Sequence, residues 1–201
     1  MSAQRPQGAD AADLDGILAF LRSAERLKTV RRSGWTSEGE QESVAEHTWR
    51  LCLMAMVLYG RDPAVDLGRL LRVCVVHDLG EAIGGDIPAP DQKGSKSAEE
   101  RADLLELLAP LPAPLRADIL ALWDDYELGA SPEARIAKGL DKLETILQHT
   151  QGRNPIGFDY RFNLAYGRGH TANDPLLVAI RERLDAETAR RAEDAEHPRR
   201  D

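Results

Sequence analysis

The stretch VCVVHDLGEAIGGD, residues 73–86, decides how the rest of the chain is read. It begins as an apolar helical run and ends in a histidine, three carboxylates and a glycine pair. His77 and Asp78 follow directly on Val75 and Val76, where burial is expected to be deepest. A solvated helix end accounts for charge after residue 80 but not for charge at 77 and 78. An ionised carboxylate in an apolar setting is costly unless something pairs with it, and a metal ion is one such partner.

Working outward, nearly every periodic segment is helical. Upstream, SVAEHTWRLCLMAMVLYG opens with a capping box, Ser43 with Glu46, and Gly60 is its stop. LDGILAFLRSAERLKTV places Leu14, Ile17, Leu18, Leu21 and Leu27 on one face. The run from Asp66 to the Gly84-Gly85 pair reads as one helix. Downstream, SAEERADLLELLAPL repeats the capping box with Ser97 and Glu100. Pro114 starts a helix, Ser131 and Pro132 cap and start another, and Asn173 or Asp174 with Pro175 starts the last. No stretch alternates with period two for long enough to predict a strand, so the expected class is all-α, a compact helical bundle. The first dozen residues (1–12) read as a polar tail, 13–185 as the domain, and 186–201 as a charged helix end and tail. The segment 151–174 holds most of the chain's Phe and Tyr residues without a clear period. It is either a functional loop or a loop pinned to the core by its aromatics.

The bulk numbers narrow the function. A chain of 201 residues with 42% hydrophobic composition suits a globular domain with its own core. Its net charge of −8 argues against nucleic acid as a main partner. A small phosphate ester stays open, because one metal and one or two arginines can hold it locally. Cys52 and Cys74 lie in apolar runs and read as reduced core thiols. No signal peptide is expected at the N-terminus, and LCLMAMVLY is too short to span a bilayer. The reading is a cytoplasmic protein with no membrane partner.

Histidine is scarce, so each one can be weighed. His47 shares a stripe with Leu51, Met54 and Leu58, and His77 with Leu70, Cys74 and Glu81. Asp141 lies beside the face formed by Ile136, Leu140, Leu143 and Leu147. Three helices thus carry a ligand-type residue on or next to a buried face. On spacing alone, the alternatives are a metal site and ordinary hydrogen-bonded core residues. His149, His170 and His197 are given no role.

The order H…HD…D, with His47, the His77-Asp78 doublet and Asp141, resembles the HD-domain phosphohydrolase superfamily. The flanking text, LKTVRRSGW, ESVAEHTWR, VVHDLGEAIGGDIPAPD, LWDDYE and LDKLETILQ, is similar to its 5'-deoxynucleotidase branch, the HD-domain-containing protein 2 group. The resemblance runs from about Leu18 to Leu184. It implies an all-helical fold and one divalent ion on His47, His77, Asp78 and Asp141. Mixed imidazole and carboxylate ligands suit Mn²⁺, Co²⁺, Fe²⁺, Ni²⁺ or Zn²⁺. It further implies Glu81 and Asp86 as catalytic carboxylates, or as holders of a second ion such as Mg²⁺ together with the Ile87 carbonyl. Arg32 and Trp35 match the substrate-binding positions, arginine as a fork for phosphate and tryptophan as a wall against the 2'-hydroxyl. Bacterial members have this pair adjacent, whereas Ser33 and Gly34 separate it here.

The expected activity is therefore hydrolysis of deoxynucleoside 5'-monophosphates, in a homodimer. The alternatives are another HD-type nucleotide phosphohydrolase or phosphodiesterase, or a nucleotide-binding HD protein without turnover. A di-iron oxygenase of the same superfamily needs further histidines between Asp78 and Asp141, and the chain has none there.

Overall fold

The computed structural model describes residues 11–87 and 96–197. The chain runs α1 (Ala11–Ala24), a short 3₁₀ turn (Glu25–Lys28), β1 (Arg31–Trp35), β2 (Gln41–Ser43), α2 (Val44–Tyr59) and α3 (Leu67–Val76). It continues through α4 (Glu81–Gly84), α5 (Lys96–Leu108), α6 (Ala113–Leu128) and α7 (Pro132–Gln151). The last elements are α8 (Phe162–Ala165), α9 (Arg168–Thr171) and α10 (Pro175–Glu196). The expected tail over 1–12 lies outside the described residues as far as residue 10, and so do residues 198–201.

The helix at the centre is α7, which packs against α2, α3, α6, α9, α10 and β1. Its Leu140, Leu143 and Ile146 meet Leu51 and Ala55 of α2, Leu70 and Val73 of α3 and Leu177 of α10 in one core, all essentially inaccessible. A fully buried leucine stabilises the fold by about 1.5–3 kcal/mol. The other side of α7 is equally buried but polar: Asp141, Glu144, Thr145, Gln148 and His149. Burying so many polar side chains on one helix requires each to have a partner.

Local chemistry sets the helix ends. Ser43 and Glu46 form the expected reciprocal capping box ahead of His47. Ser131 caps α7 through the Ala134 amide, and Asp174 caps α10. Cys74 is buried, Cys52 half-buried, and both are free thiols.

Four sequence expectations change. The run after Asp66 is two helices, because α3 stops at Val76. From there Leu79 N–H bonds Val76 O, Glu81 bonds Asp78 and Ala82 bonds Leu79, so the backbone tightens into three-residue turns. This places His77 and Asp78 at a helix end instead of mid-helix. Val75 faces solvent while Val76 is buried. In α1, Leu14, Leu18 and Leu21 point outward, and Ile17 and Phe20, with Leu27 of the 3₁₀ turn, make the contacts with the core. Finally, β1 and β2 pair as a small antiparallel ribbon, Arg31 opposite Ser43 and Trp35 opposite Gln41, with an irregular register between. RRSGW and QES are too short and polar to show a period-two signal. Gly34 lets β1 lie on α7, since a Cβ there would come within 2.8 Å of Gln148 Cγ. No described helix is long and apolar enough to cross a membrane.

Candidate active site

The buried polar face of α7, the α3–α4 turn, β1 and the N-terminal half of α2 meet at one end of a cleft of about 560 Å³. That volume is in the range of small-molecule sites. His47, His77 and Asp78 bring one ligand atom each to within 4.8 Å of one another. His77 Nε2 lies 3.0 Å from Asp78 Oδ2 and 3.4 Å from His47 Nε2. Asp141 Oδ1 joins at 3.4 Å from His47 Nε2. Atoms this far apart are spaced like neighbouring ligands around an ion with bonds of about 2.0–2.2 Å.

The outer contacts set the tautomers. His77 Nδ1 donates to Cys74 O at 2.8 Å, and His47 Nδ1 meets Glu144 Oε2. Each ring therefore turns the lone pair of Nε2 toward the cluster, the arrangement a metal-binding imidazole needs. Glu144 is held in turn by Arg50, whose Nε donates to Oε1 at 2.6 Å. Tyr126 OH donates to Asp141 Oδ2 at 2.8 Å, and Lys142 Nζ lies 2.8 Å from the same oxygen. Oδ1 is thereby left for the cluster. Glu42, His47 and Glu144 form a second close group. Arg50 and Arg32 stand 3.6 Å and 3.7 Å from Glu42, so its counter-charges are guanidinium groups.

The titration behaviour follows from this crowding. Burial would raise the Asp78 carboxyl, but His77, Arg32 and His47 hold it well below the ordinary range. Burial would likewise raise Asp141, and Lys142 with both histidines holds it down. Burial and Arg32 both oppose charge on His47, yet Glu144 and Asp141 push its pKa up to about 9. Burial, with Glu144 close by, pushes Glu42 up to about 7. The acidic ring around His47 favours a positive charge at its centre, which is what a cation supplies when it displaces protons from its ligands.

Arg32 enters from β1. Nη1 donates to Asp78 Oδ2 at 3.2 Å and Nη2 to Thr145 Oγ1 at 3.2 Å. Its charge is secure: burial opposes it, and Asp78, Asp86, Asp141 and Glu81 outweigh burial. Glu81, buried, opens α4, and Asp86 follows Gly85, whose φ of 81° turns the chain toward the cleft. Both carboxylates and Ile87 line the cleft. Arg32, His47, His77, Asp78, Asp141, Glu81, Asp86 and Ile87 are therefore brought together as the sequence suggests.

Trp35 is not. It lies at the far end of β1, outside the cleft wall, and its carbonyl accepts the Gln148 side-chain amide. The residue beside Arg32 in the cleft is Ser33, 3.3 Å from His149 Nε2. Sequence reasoning also passed over Glu144, Lys142, Tyr126, Thr145 and His149. Glu144 had a signal, lying three residues after Asp141 on one helix and so on its face. The segment after residue 151 supplies Phe158, Phe162 and Tyr166 to the cleft.

Residues 24–179 match the family described as HD domain. The chain is 38% identical to the human 5'-deoxynucleotidase HDDC2 over 183 residues, covering 85% of each chain. It is 39% identical to the mouse protein of that name over 140 residues, 68% of this chain and 69% of that one. A crystal structure from Magnetospirillum magnetotacticum, described as a predicted metal-dependent phosphohydrolase, superposes with a TM-score of 0.71 at 28% identity, covering 92% of this chain and 96% of that one.

Proposed function

The chain belongs to the HD-domain family, and on that premise we propose that it is a metal-dependent 5'-deoxynucleotidase, hydrolysing deoxyribonucleoside 5'-monophosphates to deoxynucleoside and phosphate. The observation that carries the reading is the shared Asp78 carboxylate. Its Oδ2 faces His77 Nε2 at 3.0 Å and Arg32 Nη1 at 3.2 Å, so a cation site and a phosphate-binding fork adjoin in one cleft. The names of the relatives support the deoxyribonucleotide class.

His47, His77, Asp78 and Asp141 are the ligands in this reading, and Mn²⁺, Co²⁺, Fe²⁺, Ni²⁺ or Zn²⁺ fits their donor set. When bound, such an ion polarises a phosphoryl oxygen and acidifies a water. Arg32 binds the phosphate oxygens through its planar fork. Glu81, one turn after His77, takes the proton of the attacking water. Asp86, past the glycine turn, supplies a proton to the 5'-oxygen as its bond to phosphorus breaks. In the alternative assignment, Glu81, Asp86 and the Ile87 carbonyl instead make an oxygen set of the kind Mg²⁺ accepts and hold a second ion. The net charge of −8 disfavours nucleic acid. The setting is the cytoplasm and the assembly a homodimer. An outward stripe on α2, Trp49, Leu53, Met56 and Val57, supports the dimer because it leaves a large apolar face uncovered.

A metal-supplemented phosphate-release screen over ribo- and deoxyribonucleotides tests the function. Release from deoxymonophosphates is expected. Robust cleavage of triphosphates or cyclic dinucleotides without it contradicts the substrate class.

A further inference from the structure

Along α7, Asp141, Lys142, Thr145 and His149 all line the cleft. From the first to the last the helix rises about 12 Å, the extent of a mononucleotide. The phosphate end is fixed by the ion ligands and by Arg32, which reaches Thr145 at 3.2 Å. Aromatic rings line the same wall along this run, Phe158 at the His149 end and Tyr166 beside Lys142, next to Asp141. Phe158 stands edge-on to His149 with centroids 4.8 Å apart, and Phe162 lies beside Tyr166 at 5.3 Å. Lys142 Nζ is 5.3 Å from the Tyr166 ring, so that wall continues without a break from the Asp141 carboxylate.

We propose that Phe158, Phe162 and Tyr166 form the subsite that receives the nucleobase, by stacking and apolar contact. The proposal rests on the nucleotidase reading and adds where the base sits. Several of the polar groups near these rings are engaged with neighbours. His149 Nδ1 pairs with Asn163 Oδ1 at 2.9 Å, its Nε2 with Ser33 Oγ at 3.3 Å, and Asp159 Oδ1 accepts the Phe162 amide at 3.2 Å. Phe158, Phe162 and Tyr166 line the cleft, and a flat heterocycle can stack on such rings.

The platform is built before any ligand arrives. Arg181 of α10, itself buried, donates to three carbonyls of this segment: Asn163 at 2.7 Å, Leu164 at 3.0 Å and Tyr166 at 2.6 Å. Asp185 holds the same guanidinium at 2.6 Å. Asn154 ties the segment's start to the His149 carbonyl at 2.6 Å and to Tyr160 OH at 3.1 Å. Rings fixed in this way cost little entropy when a base stacks on them.

The test compares metal-loaded wild-type protein on dAMP and on 2-deoxyribose 5-phosphate, which has the same sugar and phosphate but no base. A stacked base should raise kcat/KM about tenfold to a hundredfold. Phe158→Ala and Phe162→Ala should each collapse that ratio toward one. Phe158→Leu and Phe162→Leu, which keep apolar volume without a ring, should fall between and guard against misfolding. Metal content and circular dichroism check every variant. A wild-type ratio near one, or variants that slow both esters equally, overturns the subsite. Calorimetric binding of deoxyadenosine against 2-deoxyribose reads the subsite without turnover. Tighter deoxyadenosine binding that is lost in Phe158→Ala supports it even if neither ester is cleaved, a result that would fell only the nucleotidase reading. Equal binding of the two overturns the subsite.

Discussion

His47 and Glu144 lie 97 residues apart in the chain, and the Glu144 carboxylate receives the Nδ1 side of the His47 ring where α2 crosses α7. That contact decides which ring nitrogen faces the cleft. Arg50 completes the line by holding Glu144. Glu144→Gln should weaken metal binding about tenfold to a hundredfold, the usual effect of losing an outer partner. Glu144→Ala should also destabilise the fold, by about 3–5 kcal/mol at most, because the buried Arg50–Glu144 pair is broken and only the longer contact of Arg50 with Glu42, 3.6 Å, remains. Metal titration followed by elemental analysis checks the first effect and urea unfolding the second. Unchanged metal affinity in Glu144→Gln would remove Glu144 from the site.

Glu81 and Asp86 are assigned to proton transfer and not to the tightly held ion. Each alanine variant should lose roughly a hundredfold or more in turnover. Transition-metal content should stay near that of the wild type. If adding Mg²⁺ raises wild-type turnover but not that of either variant, the pair also holds a second ion. Turnover at the wild-type level in Glu81→Ala or Asp86→Ala would return that residue to a structural role.

Arg32 is expected to act mainly on substrate affinity. Arg32→Ala should raise KM, and Arg32→Lys should not restore it, because an ammonium cannot reproduce the planar fork that spans Asp78 and Thr145. Trp35→Leu, by contrast, should leave the preference for deoxy over ribo substrates in place, since Trp35 is outside the cleft. Steady-state kinetics on dAMP and AMP separates the two. A ratio that falls only in the tryptophan variant would bring Trp35 back to the sugar.

The capping box ahead of His47 has a pH signature. The Ser43 amide and hydroxyl, together with Arg31, hold the Glu46 carboxyl below its ordinary value of 4.5, against a small opposing effect of burial. A depressed carboxyl contributes stability that is present above the unfolded pKa and is lost as pH falls through the folded one. Ser43→Ala should therefore cost about 1 kcal/mol at neutral pH. The cost should shrink in acid, measured by urea unfolding with a chelator present. An equal cost at both pH values would separate Glu46 from the cap.

The sequence carried the helical class and the His77-Asp78 doublet because each is local, whereas the proposed ligand set and the proposed roles of Glu81 and Asp86 rested on the resemblance of the whole motif order to a family. Ser43, Ser131 and Asp174 announced their helices through capping chemistry that spans three residues. The β1–β2 ribbon was silent, since its strands are short and polar and gain their burial from α7, against β1, and α2, against β2. Trp35 shows the limit of transferring a motif across a two-residue spacer. Ser33 takes the place beside Arg32 in the cleft lining, which does not include Trp35. His149 and the aromatic segment could not be placed because their meaning comes from α10, whose Arg181 fixes the carbonyls that aim the rings. Such a long-range clamp has no period in the sequence.

The central claim is a metal-dependent deoxynucleotidase built on His47, His77, Asp78 and Asp141. Its most direct test is phosphate release from dAMP and AMP, side by side, by metal-loaded wild type and by Asp78→Ala, with bound metal measured in both. The account predicts that the wild type retains one tightly held ion and cleaves dAMP faster than AMP, and that Asp78→Ala loses both the ion and the activity. Full metal occupancy and wild-type release in Asp78→Ala, or no release from dAMP by the loaded wild type, would contradict it.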